Sequence, residues 1–230
     1  MLVNADFARR AVVPADQYRW IASPQAGVER VMLDRVGGEQ ARATSLVRYA
    51  RASSFPSHPH PGGEEILVLA GVFSEGERDY PAGWYLRNPP GSAHRPSSDD
   101  GALLFVKLRQ MRADDTHTVR IDTRDPAAWL QRGELEFCPL FDSPSETVAL
   151  QRLAAQAAPD LAAAGRVELL VVDGALWLDD RSYPCGSWIR LPDGDRPDCR
   201  AQSAGTTVYV KTLRETLDET PDETPDEVPA

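Results

Sequence analysis

One relationship inside this chain limits its fold more than any other: the body repeats itself. Shifting the sequence by 103 positions lays residues 71–91 on 174–194 without a gap. Gly71, Arg78, Tyr80, Pro81, Gly83, Arg87, Pro89 and Gly91 then meet Gly174, Arg181, Tyr183, Pro184, Gly186, Arg190, Pro192 and Gly194, eight identities in 21 positions. The flanks agree in character. Glu65-Ile66-Leu67-Val68-Leu69 meets Glu168-Leu169-Leu170-Val171-Val172, and Leu104-Phe105-Val106-Lys107 resembles Val208-Tyr209-Val210-Lys211. Two copies of one module follow from this, joined near residues 114–130.

Each module reads as β. Short runs rich in branched and aromatic residues are bounded by Gly and Pro clusters at regular spacing. Strands are predicted at 44–50, 65–73, 83–88 and 102–109, with counterparts at 147–153, 167–178, 186–191 and 206–213. Pro61-Gly62-Gly63, Pro81-Ala82-Gly83, Pro89-Pro90-Gly91 and Pro192-Asp193-Gly194 are the turns between them. The Ala-rich stretch from Ala154 to Ala164 could form a short helix, but Pro159 favours a loop. The expected fold class is all-β: two tandem barrels or double-sheet sandwiches. The expected boundaries are a first domain at 1–113, a linker at 114–130, a second domain at 131–214 and a tail at 215–230.

Charge limits the partners. The 230 residues carry 25 bases and 35 acids, ten net negative charges. Seven acids and no base lie in 215–230, where Asp-Glu-Thr-Pro recurs, so that stretch is expected to be a disordered acidic tail. The remaining body is only three charges negative. An acidic chain repels nucleic acid and anionic membrane, so neither is an expected direct partner. The longest apolar run, Ile66 to Ala70 extended to Phe73, is too short to span a bilayer. Residues 1–6 hold an acid before any base and no apolar signal region, which makes the cytoplasm the expected compartment. Cys138, Cys185 and Cys199 are odd in number and show no C-x-x-C spacing, as in a reduced compartment.

The chemistry gathers in one stretch. Three of the four histidines, His58, His60 and His94, lie within it; His117 stands in a polar linker and reads as a surface residue. In extended chain His58 and His60 project from one face and can share a metal ion. Glu64 has the parity of these histidines, whereas Glu65 is matched by Glu168 in the second copy. His94 follows the tight turn Pro89-Pro90-Gly91-Ser92-Ala93. Three imidazoles and a carboxylate suit Zn, Fe, Mn or Ni. At the constant offset His58, His60, Glu64 and His94 meet Leu161, Ala163, Val167 and Pro197, so one divalent metal per chain is expected. Arg87 and Tyr80 recur as Arg190 and Tyr183 in the copy without ligands, which points to structural roles.

These residues resemble the two cupin motifs. His58, His60, Glu64 and Gly71 fit G-x5-H-x-H-x3,4-E-x6-G without its first Gly, and Gly83, Pro89, Gly91 and His94 fit G-x5-P-x-G-x2-H-x3-N with Ser98 in place of Asn. His-Pro-Gly-Gly-Glu-Glu-Ile-Leu-Val-Leu, Tyr-Pro-Ala-Gly, Arg-Asn-Pro-Pro-Gly-Ser-Ala-His and Leu-Phe-Val-Lys-Leu-Arg-Gln are similar to the ChrR-type cupins over about residues 20–112. The resemblance implies two tandem cupin (double-stranded β-helix, jelly-roll) domains. The first, 1–113, would bind metal, and the second, 131–214, would be a degenerate cupin. It implies zinc as the expected metal and a sensory or regulatory module linked to stress signalling, with a sigma-factor-pathway protein or a small molecule as partner. The helical anti-sigma zinc domain of that family has no counterpart in the residues before position 30, which hold neither His nor Cys. The alternative is an iron dioxygenase of the acetylacetone-cleaving type acting on a diketone-like substrate; Trp84, Tyr85 and Phe105 are candidates to line its pocket, but each reads first as ordinary core. Homodimer pairing through a strand from Met1 to Asp34 is the expectation by analogy with cupin edges.

Overall fold

The computed structural model describes residues 1–38, 40–161 and 164–214. The expected acidic tail at 215–230 and Ala163, the counterpart of His60, lie outside the described residues. Among the described residues the helical elements are two short 3-10 turns, Ala15–Gln17 and Pro126–Ala128; no helix is long and apolar enough to cross a membrane. Every predicted strand occurs, as Arg42–Tyr49, Glu64–Glu75, Trp84–Asn88, Ala102–Leu108, Glu146–Leu153, Arg166–Asp173 with Ala175–Leu178, Trp188–Leu191 and Thr206–Leu213. The Ala-rich stretch forms no helix over its described residues.

The first main sheet runs Leu2–Val3, Val28–Val36, Arg42–Tyr49, Ala102–Leu108, Glu64–Glu75, Trp84–Asn88, Val119–Asp122. The second runs Leu130–Arg132, Leu135–Asp142, Glu146–Leu153, Thr206–Leu213, Arg166–Asp173, Trp188–Leu191, Ala11–Val13. The two orders correspond strand for strand, as the repeat requires. A smaller sheet covers each: His58–His60 paired with Ser92–His94 in the first module, and Ala175–Leu178 between Arg181–Pro184 and Cys199–Ala201 in the second.

The last strand of each sheet comes from outside its own module: Val119–Asp122 from the segment between the modules, and Ala11–Val13 from the first module. Val119–Asp122 pairs antiparallel with Trp84–Asn88, with Val119 opposite Arg87 and Ile121 opposite Tyr85. Ala11–Val13 pairs with Trp188–Leu191, with Ala11 opposite Arg190 and Val13 opposite Trp188. The expected boundaries need correction on both counts. Part of the 114–130 segment is a strand of the first sheet, and part of 1–113 is a strand of the second. Apolar residues at alternate positions explain the pairing, because each arm buries one face against the neighbouring module. Within the chain, the N-terminal segment pairs as Leu2–Val3 with Val28–Val36 and as Ala11–Val13 with Trp188–Leu191.

The main sheets pack back to back. Leu46, Leu67, Tyr85 and Phe105 meet Leu150, Leu170, Trp188 and Tyr209 in one core, with the Phe105 and Tyr209 rings 5.2 Å apart in an edge arrangement. Tyr85 and Phe105 therefore fill the intermodule core and do not line a pocket; Trp84 packs beside Tyr80 at 5.3 Å. Along the strands of Leu67, Tyr85 and Phe105 the odd positions face the partner module, and even positions such as Ile66, Leu86, Leu104 and Val106 face the barrel interior.

Buried charges cross the same interface. Glu65 accepts from Lys211 Nζ at 2.7 Å and from the Tyr209 hydroxyl. Glu168 accepts from Lys107 Nζ and from Trp188 Nε1. Lys107 and Lys211 are repeat counterparts, as are Glu65 and Glu168, so each module supplies a lysine to the other's glutamate. Arg87 joins Asp115 at 2.6 Å and Glu146 at 2.5 Å; Arg190 joins Asp34 at 3.3 Å. Burial works against a charged Glu65, but Lys211, Arg87 and Lys107 outweigh it and hold the carboxyl down at about 2. The structural reading of Arg87, Arg190 and Glu65 agrees with these contacts.

Candidate metal centre

The two motifs meet as a ladder. His58–His60 and Ser92–His94 pair antiparallel, with His94 opposite His58 and Ser92 opposite His60. Two tight turns make this possible. Gly63 (φ 74°) turns the chain from His60 into the Glu64 strand, and the Gly91 N–H donates to the His60 carbonyl at 2.9 Å. Gly71, the last residue of the first motif, has φ 71°, and a Cβ there would lie 1.9 Å from the Gly101 carbonyl oxygen. Only glycine lets the long strand pass that point.

The donor atoms converge. His60 Nε2 and His94 Nε2 are 2.9 Å apart, and Glu64 Oε2 lies 3.4 Å from the first and 3.5 Å from the second. Ligating atoms of His58, His60 and His94 all lie within 4.8 Å of one another. Ligands about 2.1 Å from one ion stand roughly 3.0 Å apart at right angles and about 3.4 Å apart at tetrahedral angles. The observed separations span both cases. The His58 Nδ1–H donates to the Pro56 carbonyl at 2.9 Å, which leaves its Nε2 lone pair free. The His94 Nδ1–H donates to Glu75 Oε1 at 2.7 Å, with the same consequence.

The electrostatics ask for a cation. Burial, then the neighbouring His94 and His58, push the His60 imidazole down to about 3, so it is neutral at ordinary pH. Burial pushes the Glu64 carboxyl up to about 7, although His94 and an Asn88 hydrogen bond oppose the rise. A neutral His60 and a buried Glu64 carboxyl suit a divalent ion, while the His94 ring, whose pKa is raised against its burial by Glu75 and Glu64, gives up a proton to ligate. The residues present fit such an ion.

Several residues of this site went unread in the sequence. Glu75 accepts from His94, from Asn88 Nδ2 at 2.9 Å and from Arg120 at 2.8 Å. Burial would raise its carboxyl, but those three partners hold it at about 2. Arg120 sits on the exchanged strand Val119–Asp122 and also bonds Asn88 Oδ1 at 2.6 Å and the Tyr80 hydroxyl at 3.1 Å. Tyr80 therefore supports the site through Arg120. Ser98, standing where the cupin motif has Asn, donates to the Val72 carbonyl at 2.6 Å. His117 is exposed and bonded to Asp115, as its linker position implied.

A cavity of about 400 Å3 adjoins the donors, walled by residues such as Tyr49, Phe55, Phe73, Leu104 and Val106. The second barrel is filled instead. Val167 stands where the first module has Glu64, and Leu169, Leu176, Ile189 and Val208 close its interior around it.

Comparison with known proteins agrees with this architecture. Residues 8–112 match the family model of the ChrR cupin-like domain. A structure from Pseudomonas aeruginosa described as a glyoxylate-induced protein superimposes with TM-score 0.72 at 14% identity, over 94% of this chain and 92% of that one. The bacterial pirin YhhW of Escherichia coli, solved with nickel(II), gives 0.67 at 13% identity, over 90% and 99%. Salicylate 1,2-dioxygenase from Pseudoaminobacter salicylatoxidans, solved as adducts with gentisate, gives 0.62 at 11% identity, over 90% and 81%. Identities this low speak for the fold alone. The search of curated proteins gives no match. Residues 8–112 thus resemble a ChrR cupin-like domain, within the first of two cupin folds in one chain.

Proposed function

We propose that the first module holds one divalent metal, zinc, through His58, His60, Glu64 and His94, and that it acts as a metal-dependent sensory module. One observation carries the reading: the Nε2 atoms of His60 and His94 and Glu64 Oε2 converge within 3.5 Å, with Glu75 fixing the His94 ring. The metal supplies a Lewis-acidic position at the end of the cavity. Glu75 and Arg120 keep the His94 lone pair aimed at that position. The apolar walls keep water away from a bound small molecule. The ChrR-like family match supports a role in a sigma-factor-linked stress response, with the second, ligand-free cupin as scaffold and partner surface.

A second reading is an iron-dependent dioxygenase acting on a small diketone-like substrate. The cavity beside the donors favours it, since regulation alone does not require such a volume. Metal analysis of protein purified without added metal, run beside an oxygen-uptake screen with acetylacetone, separates the two. Zinc without uptake supports the sensory reading. Iron with diketone-dependent uptake overturns it in favour of the enzyme.

A further inference from the structure

The cavity beside the donors carries a charge that metal binding does not use. Arg30, Arg35 and Arg109 line it together with the apolar walls, and each is half-buried. Their hydrogen bonds go to neutral acceptors: the Ser23 hydroxyl at 3.1 Å, the Gly38 carbonyl and Gln40 Oε1 at 2.8 Å. Arg48, Arg87, Arg120 and Arg190, by contrast, each meet a carboxylate. Among the described lining residues Glu64 is the one carboxylate, and a metal would take up its charge. Burial, then the Arg30 charge, lowers the pKa of Arg35, as expected for neighbouring cations short of an anion.

Strand register places these cations opposite the donors. Arg35 pairs with Ala43, Ala43 with Leu108 and Leu108 with Glu64. Arg35 and Glu64 therefore stand at one level of the sheet, three strands apart, on the walls of the same cavity. A bulge between Met32 and Asp34 resets the alternation, so that Arg35 shares the inner face with Arg30.

The internal repeat supplies an independent control. Pairing registers match Arg30 with Phe137 and Arg35 with Asp142 in the second module, and the 104-residue offset of Lys107 and Lys211 matches Arg109 with Leu213. All three cations are missing where the metal donors are missing. Arg87, which serves the interface, is kept as Arg190. The three arginines thus go with the cavity and not with the fold.

We propose that this cavity takes a small organic anion, with an apolar body between Tyr49, Phe73, Leu104 and Val106 and a carboxylate held by Arg35 beside Arg30 and Arg109. Its other end reaches the metal position, so the inference rests on the metal reading above. A guanidinium offers the planar fork that a carboxylate matches with two parallel hydrogen bonds. The volume of about 400 Å3 fits an acid of small-molecule size.

Calorimetric titration of the zinc-loaded full chain with benzoate and octanoate, each beside its neutral amide, tests this. At least one acid should bind at one per chain, with its amide weaker by about tenfold or more. The Arg30→Gln/Arg35→Gln variant should lose the acid preference while keeping its zinc. Equal binding of acid and amide, failure of both acids, or unchanged acid binding by the variant overturns the proposal. Metal content measured on the same samples keeps the two readings apart. A chain that holds no zinc but still selects acid over amide upholds the anion site and sinks only the metal centre.

Discussion

Lys211 Nζ lies 2.7 Å from Glu65 Oε2, so a lysine of the second module ends on a buried glutamate of the first. Its counterpart Lys107 reaches Glu168 in the opposite direction. The two modules are tied by this reciprocal pair and by the reciprocal arms Ala11–Val13 and Val119–Asp122. Glu65→Gln leaves Lys211, Arg87 and Lys107 short of one buried negative charge. It should destabilise the chain by about 3–5 kcal/mol in denaturant unfolding. A loss under about 1 kcal/mol contradicts the assignment.

Acid unfolding should follow the same carboxyl. Its folded pKa, about 2, lies below the ordinary value of 4.5. The stability it contributes is therefore fully present above about pH 4.5 and is lost as pH falls through about 2. The parent should lose stability steeply across that window. Glu65→Gln, already lacking the term, should show a shallower slope there.

The arms predict how the chain can be cut. A fragment ending at residue 113 lacks the strand Val119–Asp122, and with it Arg120. A fragment starting at 114 lacks Ala11–Val13. Neither should give the sharp cooperative melt of the full chain in circular dichroism. A fragment 1–113 that melts cooperatively and holds one metal contradicts the exchange as a stabilising feature.

Glu75 acts on the centre through His94. Glu75→Gln should lower metal affinity about 10–100-fold while leaving the far-UV spectrum unchanged, as measured by competition with a chelating dye. Arg120→Gln should weaken affinity in the same direction by a smaller factor. Unaltered affinity in Glu75→Gln contradicts the orienting role.

Metal uptake should release protons in a pH-dependent way. The Glu64 carboxyl, raised to about 7, is largely protonated at pH 6 and must ionise to ligate; at pH 8 it is already ionised. His60, neutral above about 3, contributes little, whereas the His94 ring, raised against its burial by Glu75 and Glu64, also loses a proton on ligation. Apparent affinity should therefore climb through pH 7 and flatten above about 8. Titrations in buffers of different ionisation heat should show more proton release at pH 6 than at pH 8.

The repeat, the eight strands and the convergence of His58, His60, Glu64 and His94 were legible because each rests on local alternation or fixed spacing. Glu75 was not. The long strand shifts register between the partners of Leu103 and Leu104, so its inner face changes from even residues such as Ile66 to odd ones such as Phe73 and Glu75. Parity counted from Glu64 points Glu75 the wrong way. Arg120 was hidden by topology, since residues between two repeats read as a linker unless the sheet that receives them is known. Tyr85 and Phe105 are core residues, as read; that their core lies between the modules was not legible, because both faces of their strands are apolar.

The central claim is that four side chains of the first module hold one metal and the second module holds none. Elemental analysis of the full chain purified without added metal, beside His58→Ala/His94→Ala, tests it most directly. The account predicts about one zinc per chain in the parent and its loss in the double variant, with the folded spectrum kept. A variant that retains the parent's metal, or a parent that holds none even after incubation with zinc, contradicts it.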